Sequence, residues 1–320
     1  MSDLARLVVI LGPTASGKSA LGIDLAERLG GEILVCDSTQ VYRHFDIGTA
    51  KVPPADRHGI PHHLVDLVEP NEVFTAGQYR QRAMEVLEDL RRRNKLPVIT
   101  AGTGLYLRAL LEGLADAPTR SEELRERLRE RVRRHGPASL HRLLARIDSG
   151  AAARIAPRDT QKIIRAIEMR ILAGKSVAEI HRSGRSPLQG YDVRKIGLLP
   201  VRAQLYARID ARVEAMMAAG WMTEVRELIR RGVPAEAKAF QFIGYSDLRR
   251  QIEGKRNPAE VVPAIQQATR RFAKRQITWF RKEPRVHWLT GFGDDPDVFG
   301  AALKIAEARA DQLDGAARIG

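Results

Sequence analysis

The residues best suited to chemistry form one continuous segment near the N-terminus. Its sequence is Gly12-Pro13-Thr14-Ala15-Ser16-Gly17-Lys18-Ser19, which matches the pattern G-x-x-x-x-G-K-[ST]. Two glycines let such a loop wrap a phosphate group, so that several backbone N–H groups and a helix N-terminus point at it. Lys18 adds a positive charge, and the Ser19 hydroxyl can hold a magnesium ion shared with the ligand. The segment predicts a pyrophosphate or polyphosphate site without saying which.

The elements around this segment are those that a P-loop requires. The β-branched run Leu7–Leu11 precedes it and predicts a buried strand, and helical spacing of apolar residues follows it until Gly30-Gly31. Strand, glycine-rich loop and helix together indicate an α/β protein with a P-loop NTPase-like core and a parallel sheet.

A carboxylate is predicted on the same edge of that sheet. Residues 32–36 read as a second strand, and Asp37-Ser38-Thr39-Gln40 follows it. Because the carboxyl ends of strands in open α/β sheets face the ligand crevice, Asp37 should lie on the same rim as the P-loop. The strand 96–100 runs instead into Ala101-Gly102-Thr103, so the aspartate that many P-loop nucleotidases place there is missing, which weighs against an ordinary ATPase.

Composition predicts a soluble cytoplasmic protein without a membrane span. The 320 residues are 44% hydrophobic and 29% charged, and no apolar run approaches the roughly 18 residues that a bilayer requires. The single cysteine, Cys36, excludes an internal disulfide framework and fits a reducing compartment. We expect the protein to act as a monomer.

Positive charge is concentrated in two segments. Residues 117–192 carry 17 Lys and Arg against 9 Asp and Glu, and residues 261–288 carry 7 against 1, which together account for the net charge of +14. Clustered charge is typical of a polyanion partner, although solvated arginine-rich helices also produce it. The predicted organisation is a first part of the core (1–116), a helical insertion (117–192), a second and mostly helical part of the core (193–300), and a C-terminal helical tail (301–320).

Seven segments, in order along residues 6–290, together resemble the tRNA dimethylallyltransferase (tRNA isopentenyltransferase) family. They are Gly12–Ser19, Asp37-Ser-Thr-Gln-Val-Tyr42, Pro61-His-His-Leu64, Gly102-Thr-Gly-Leu-Tyr106, Asp159-Thr-Gln-Lys-Ile-Ile-Arg165, Phe240-Gln-Phe-Ile-Gly-Tyr245 and Lys274-Arg-Gln-Ile-Thr-Trp279. Thr39 departs from the methionine expected after Asp-Ser, and Ser19 replaces a common threonine but keeps its hydroxyl.

The resemblance implies transfer of a dimethylallyl group from its pyrophosphate to N6 of the adenosine immediately 3′ of the anticodon, in tRNAs that read codons beginning with U. It implies that Asp37 accepts the proton of this amine, that Thr103 holds the amine, and that Arg212 joins the P-loop around the pyrophosphate with Mg²⁺ at Ser19. The target base must leave the anticodon stack, which implies base flipping.

The family's helical insertion grips the anticodon stem-loop, which matches the basic segment 117–192. The residues expected to contact tRNA are Asp37, Ser38, Thr39, Gln40, Thr103, Gln161, Lys162, Ile163, Ile164, Arg165, Gln241, Lys274 and Arg275. Two alternatives stay open: a cytokinin-type transferase acting on free adenine nucleotides, and a small-molecule P-loop kinase binding ATP. Neither requires the basic insertion.

Overall fold

The computed structural model describes residues 4–182 and 184–308, which form two compact units. The first unit combines the chain up to Leu110 with the chain from Gln189 onward, and the second unit is Leu111–Leu188. The sequence placed the insertion at 117–192 instead. Tyr191 and Asp192 belong to the first unit because they begin a strand that pairs with Ala5 and Arg6. Most of the predicted tail, residues 309–320, lies outside the described residues.

A six-stranded sheet with parallel neighbours forms the centre of the first unit, which confirms the predicted α/β class. The strand order is β3-β2-β4-β1-β5-β6. The strands are β1 (Ala5–Leu11), β2 (Gly31–Cys36), β3 (His62–His63), β4 (Leu96–Ala101), β5 (Tyr191–Leu198) and β6 (Val286–Leu289). The sequence did not predict β3 and β6, because strands of two and four residues are too short to show a period.

The register brings three strand ends to one level. Ala101, the last residue of β4, is paired with Leu11 of β1 on one side and with Cys36 of β2 on the other. The loops that begin at Gly12, Asp37 and Gly102 therefore leave the sheet side by side, as expected for parallel strands.

Eight helices accompany this sheet in the described chain. They are α1 (Lys18–Leu29), α2 (Ala76–Arg92), α3 (Gly104–Glu112), α9 (Arg202–Ala218), α10 (Trp221–Arg230), α11 (Tyr245–Ile252), α12 (Pro258–Phe280) and α13 (Pro296–Glu307). The numbers between α3 and α9 belong to the helices of the second unit, in chain order. Helix α1 begins directly at Lys18 and ends at Leu29, and the next residue, Gly30, caps it in the left-handed conformation with a φ of 65°.

The second unit is helical. Its helices are α4 (Glu122–His135), α5 (Pro137–Ile147), α6 (Ser149–Ala152), α7 (Thr160–Ala173) and α8 (Val177–Arg182). Its apolar core includes Leu128, Leu140, Leu144, Ile163 and Ile167. Ser121 accepts a hydrogen bond from the Leu124 N–H and caps α4.

Candidate active site

The glycines of the P-loop are required by close contacts. A Cβ on Gly12 would lie 2.8 Å from the Leu198 carbonyl oxygen, and one on Gly17 would lie 2.5 Å from the Gly293 nitrogen. Gly17 also has a φ of 85°, which favours glycine. The close approach of the segments around Leu198 and Gly293 thus requires glycine at both positions of the loop.

The predicted pyrophosphate residues divide into two groups. Residues 14–19 line a cavity of about 830 Å³. Gly12 and Pro13 are buried behind this lining, and the Pro13 carbonyl accepts a hydrogen bond from Lys18 Nζ at 2.6 Å. In this structure both residues shape the loop from outside the cavity lining, and their direct contact with pyrophosphate stays a prediction. Ser16 is fully buried, and its hydroxyl has no hydrogen-bond partner within the described chain.

Two basic side chains lie close together at the P-loop: Lys18, which belongs to the loop, and Arg212. Burial lowers the pKa of Lys18 to about 7, because the effect of desolvation exceeds the attraction of Asp37, and the nearby Arg212 lowers it further. Arg212, from α9, places its guanidinium 3.5 Å from Thr14 Oγ1, and burial lowers its pKa as well. Both groups line the cavity, and an anionic ligand would relieve their mutual repulsion.

Asp37 is held in one orientation at the cavity wall. Its Oδ1 accepts hydrogen bonds from the Thr39 N–H at 2.8 Å and the Thr39 hydroxyl at 2.7 Å. Its Oδ2 lies against Gly102, where a Cβ would be only 2.5 Å away. The departure from the expected methionine at position 39 therefore supplies a hydroxyl that orients the carboxylate.

Thr103 connects the two loops that follow β2 and β4. Its Oγ1 accepts a hydrogen bond from the Ser38 N–H at 2.9 Å and donates one to Ser38 Oγ at 3.2 Å. The N–H groups of Gly102 and Thr103 both donate to the Cys36 carbonyl at 3.0 Å. The structure therefore brings the predicted base and the predicted amine ligand onto adjoining, hydrogen-bonded loops.

Sequence reasoning missed Gln276 of α12. Its Oε1 accepts a hydrogen bond from the Thr14 N–H at 2.7 Å, and its Nε2 donates to the Gly102 carbonyl at 2.8 Å. The residue lies inside the motif Lys274–Trp279, but a glutamine that follows two basic residues gave no local signal of a contact 262 positions away.

The other predicted RNA contacts of the first unit differ in position. Gln40, Gln241 and Arg275 line the cavity, whereas Lys274 is exposed outside this lining. Gln40 Nε2 donates to the carbonyls of Thr49 at 3.0 Å and Ala50 at 3.3 Å, which leaves its Oε1 as an acceptor.

In the second unit, the predicted RNA contacts on α7 are of three kinds. Gln161 and Lys162 are exposed, and Lys162 pairs with Asp159 at 2.6 Å. Ile163 and Ile164 are buried in the apolar core, so their predicted contact with tRNA is corrected: a helix that packs on a core must turn one face inward.

Arg165 is engaged inside the second unit. It donates to the Pro118 carbonyl at 3.2 Å and to Glu168 Oε2 at 2.6 Å. Glu168 is fully buried and also accepts a hydrogen bond from the Arg125 guanidinium. Burial opposes the charge of Glu168, but these hydrogen bonds hold its pKa at about 2. The structure thus supports a mainly internal role for Arg165.

The charge of α4 is partly neutralised within the helix. Arg129 and Arg133 pair with Glu122 and Glu126, each at 2.7 Å, and Arg134 pairs with Glu130. Helix α4 contains six Arg and four Glu, so it contributes only +2 to the net charge of the segment.

The donors suited to a metal ion are oxygen atoms on the cavity wall. Ser19 and Asp37 both line it, but the described residues contain no group of three or more His, Cys, Asp or Glu side chains that would hold a metal alone. This set fits Mg²⁺, which usually keeps several waters and shares phosphate oxygens with its ligand. Within the described chain, no helix has the length and apolar character needed to cross a bilayer.

The chain is similar to known proteins over most of its length. A family model described as IPP transferase matches residues 40–283. A tRNA dimethylallyltransferase of Koribacter versatilis (strain Ellin345) is 50% identical over 309 residues, covering 95% of this chain and 99% of that protein. A tRNA dimethylallyltransferase of Solibacter usitatus (strain Ellin6076) is 48% identical over 297 residues, covering 93% and 96%.

Two solved structures have the same fold. The full-length tRNA isopentenylpyrophosphate transferase of Bacillus halodurans matches with a TM-score of 0.70 and 35% identity, covering 98% of both chains. A eukaryotic dimethylallyltransferase acting on tRNA matches with a TM-score of 0.77 and 26% identity, covering 89% of this chain and 74% of that one.

Proposed function

The chain belongs to the IPP transferase family, and from this premise we propose that it transfers a dimethylallyl group from dimethylallyl pyrophosphate to an adenosine of tRNA. The acceptor atom is N6 of the adenosine immediately 3′ of the anticodon, in tRNAs that read codons beginning with U. The observation that carries the proposal is that one cavity is lined by both the P-loop and Asp37.

The P-loop end of the cavity binds the leaving group in this proposal. As the bond between the allylic carbon and the bridging oxygen breaks, negative charge develops on the pyrophosphate. The loop amides, Lys18 and Arg212 stabilise that charge, because they are positioned before the reaction begins. Ligand binding returns Lys18 to its charged form, since the anion offsets the desolvation that lowers its pKa.

Asp37 acts as the base. The exocyclic amine of adenine is a weak nucleophile, so its proton must leave as the bond between N6 and the allylic carbon forms. Thr39 orients the carboxylate through Oδ1, and Oδ2 accepts the proton. Thr103 supports this arrangement by joining the loop of Asp37 to the loop of Gly102, and its hydroxyl is the proposed partner of the amine.

Mg²⁺ is the proposed cofactor. Ser19 would hold it together with oxygens of the pyrophosphate, where the ion would supply further neutralisation of the leaving group. The exposed Ser19 side chain at the cavity wall is compatible with this role.

The anticodon stem-loop of tRNA is the proposed partner of the second unit. Gln161 and Lys162 offer an exposed amide and an exposed ammonium group on α7, and the basic segment 117–192 provides long-range attraction for phosphates. We further propose that the enzyme acts as a monomer in the cytoplasm.

The proposal is tested by transfer from radiolabelled dimethylallyl pyrophosphate in the presence of Mg²⁺. The acceptors compared are a tRNA for a U-initial codon, its unpaired anticodon-loop sequence, and AMP. Label only in the tRNA, at the adenosine beside the anticodon, supports the proposal. Label in AMP indicates the cytokinin-type activity instead, and turnover of ATP without prenyl transfer indicates a kinase.

A further inference from the structure

We propose that Gln276 is a positioning residue that fixes the distance between the phosphate-binding loop and the proton acceptor. This inference rests on the proposed function, because it assigns a role in the same reaction. Gln276 is assigned no contact with the reacting carbon or the amine in the proposed reaction, and it acts through the backbone of two loops.

The hydrogen bonds of Gln276 determine the orientation of its amide. The side chain is 6% exposed, its Oε1 accepts from the Thr14 N–H at 2.7 Å, and its Nε2 donates to the Gly102 carbonyl at 2.8 Å. Rotating the amide by half a turn would place N–H against N–H and oxygen against oxygen. Because the bond to Gly102 is buried and the bond from Thr14 is partly buried, that rotation would leave poorly solvated groups unsatisfied, so a single orientation is stable.

Each end of this amide reaches a functional loop. Thr14 belongs to the P-loop, and its side chain is the neighbour of Arg212. Gly102 lies against Asp37 Oδ2, and its N–H is bonded to the Cys36 carbonyl directly before Asp37. One side chain of α12 therefore joins the loop after β1 to the loop after β4, next to the predicted base.

The same geometry removes one donor from the phosphate site. The Thr14 N–H is used by Gln276 and the Ser16 N–H donates to the Pro13 carbonyl at 3.3 Å, so the amides of residues 15 and 17–19 are those available to a pyrophosphate. A displacement of about 1 Å between reacting groups can cost about a hundredfold in rate. A rigid link between the leaving-group site and the base is thus expected to affect the chemical step more than ligand binding.

Gln276→Met tests this role, since methionine has similar length but forms neither hydrogen bond. Gln276→Glu is the second variant, because it keeps an acceptor for the Thr14 N–H while its carboxylate cannot donate to Gly102. Gln266→Met is the matched control: Gln266 lies on the same helix, and its amide donates to the Asp210 carbonyl at 3.3 Å, away from the cavity lining.

The measurements are the single-turnover rate of prenyl transfer per active site, and the affinity and stoichiometry of inorganic pyrophosphate by calorimetry. We expect a rate loss of about 10- to 100-fold in both Gln276 variants, near-normal pyrophosphate binding in Gln276→Met, and no change in Gln266→Met. A wild-type rate in either Gln276 variant overturns the inference. A loss of rate that is matched by an equal loss of pyrophosphate affinity overturns it too. Absence of transfer by the wild-type enzyme would instead reject the proposed function.

Discussion

Asp37 Oδ2 and Gly102 face each other so closely that a Cβ at position 102 would lie 2.5 Å from the carboxylate oxygen. The hydrogen bonds that the carboxylate receives within the described chain both end on Oδ1. The glycine therefore leaves room for Oδ2 at the cavity wall, where a proton can be accepted.

Gly102→Ala should lower the rate of prenyl transfer by at least about tenfold, because the new methyl group displaces Oδ2 from its position. Pyrophosphate affinity should stay near normal, since the P-loop is unchanged. Gly300→Ala is the control, because no atom lies within 4 Å of a Cβ at that position. Wild-type rates in Gly102→Ala would show that the position of Oδ2 is not critical.

Asp37→Asn should reduce transfer by about 10²- to 10⁴-fold, because an amide cannot accept the proton of the amine. The substituted side chain keeps an oxygen for the hydrogen bonds from Thr39, so the loop should stay in place. Single-turnover rates and filter binding of tRNA measure the two effects separately. A parallel loss of tRNA affinity would assign Asp37 to RNA binding rather than to proton transfer.

Thr39→Val should lower the transfer rate by roughly tenfold, the effect of losing one hydrogen bond to a charged group. The valine removes the hydroxyl that donates to Asp37 Oδ1 but keeps the backbone donor. Thr39→Ser restores the hydroxyl and should restore most of the rate. Equal losses in the two variants would indicate that packing, not the hydroxyl, matters at this position.

Pyrophosphate affinity should fall as the pH rises above about 7, because desolvation lowers the pKa of Lys18 to about 7 in the free enzyme. Binding favours the protonated form, so above this pH the enzyme must take up a proton, which costs up to about tenfold in affinity for each pH unit. Calorimetry in buffers of different ionisation enthalpy measures that proton. Lys18→Arg stays protonated and corrects for ionisation of the ligand itself; an identical pH dependence in this variant would rule out Lys18.

The same shift affects folding in a definite direction. The unfolded chain keeps Lys18 protonated up to about its ordinary pKa of 10.5, whereas the folded protein releases the proton near 7. The stability contribution of this group therefore rises with pH between these values and is least favourable below about 7.

Lys162→Ala should weaken tRNA binding and reduce the slope of log affinity against log salt by about one, as expected for loss of one phosphate contact. The fold should be unaffected because the side chain is exposed. Arg165→Ala should mainly lower the melting temperature, since the buried Glu168 loses one of its hydrogen-bond partners. Unchanged salt dependence in Lys162→Ala would remove this residue from the interface.

The fold class and the family follow from contiguous stretches of sequence. The P-loop is recognisable because its strand, its glycines and its helix are neighbours in the chain, and the confirmed parallel sheet follows from alternating strands and helices. Asp37 is placed on the rim by the same logic, since a residue that ends a parallel strand must lie at the carboxyl edge.

Tertiary structure decided which residues support the site. Gln276 joins two loops from a helix 262 positions beyond Thr14, and Thr39 orients Asp37 through a hydroxyl that looked like a mild departure from a motif. Ile163 and Ile164 lie in a motif but point into a core, and Arg165 is drawn inward by Glu168. The local sequence pattern determines where a strand or helix begins and which residues follow it. The partner of a side chain depends on the packing of distant segments, which no local pattern contains.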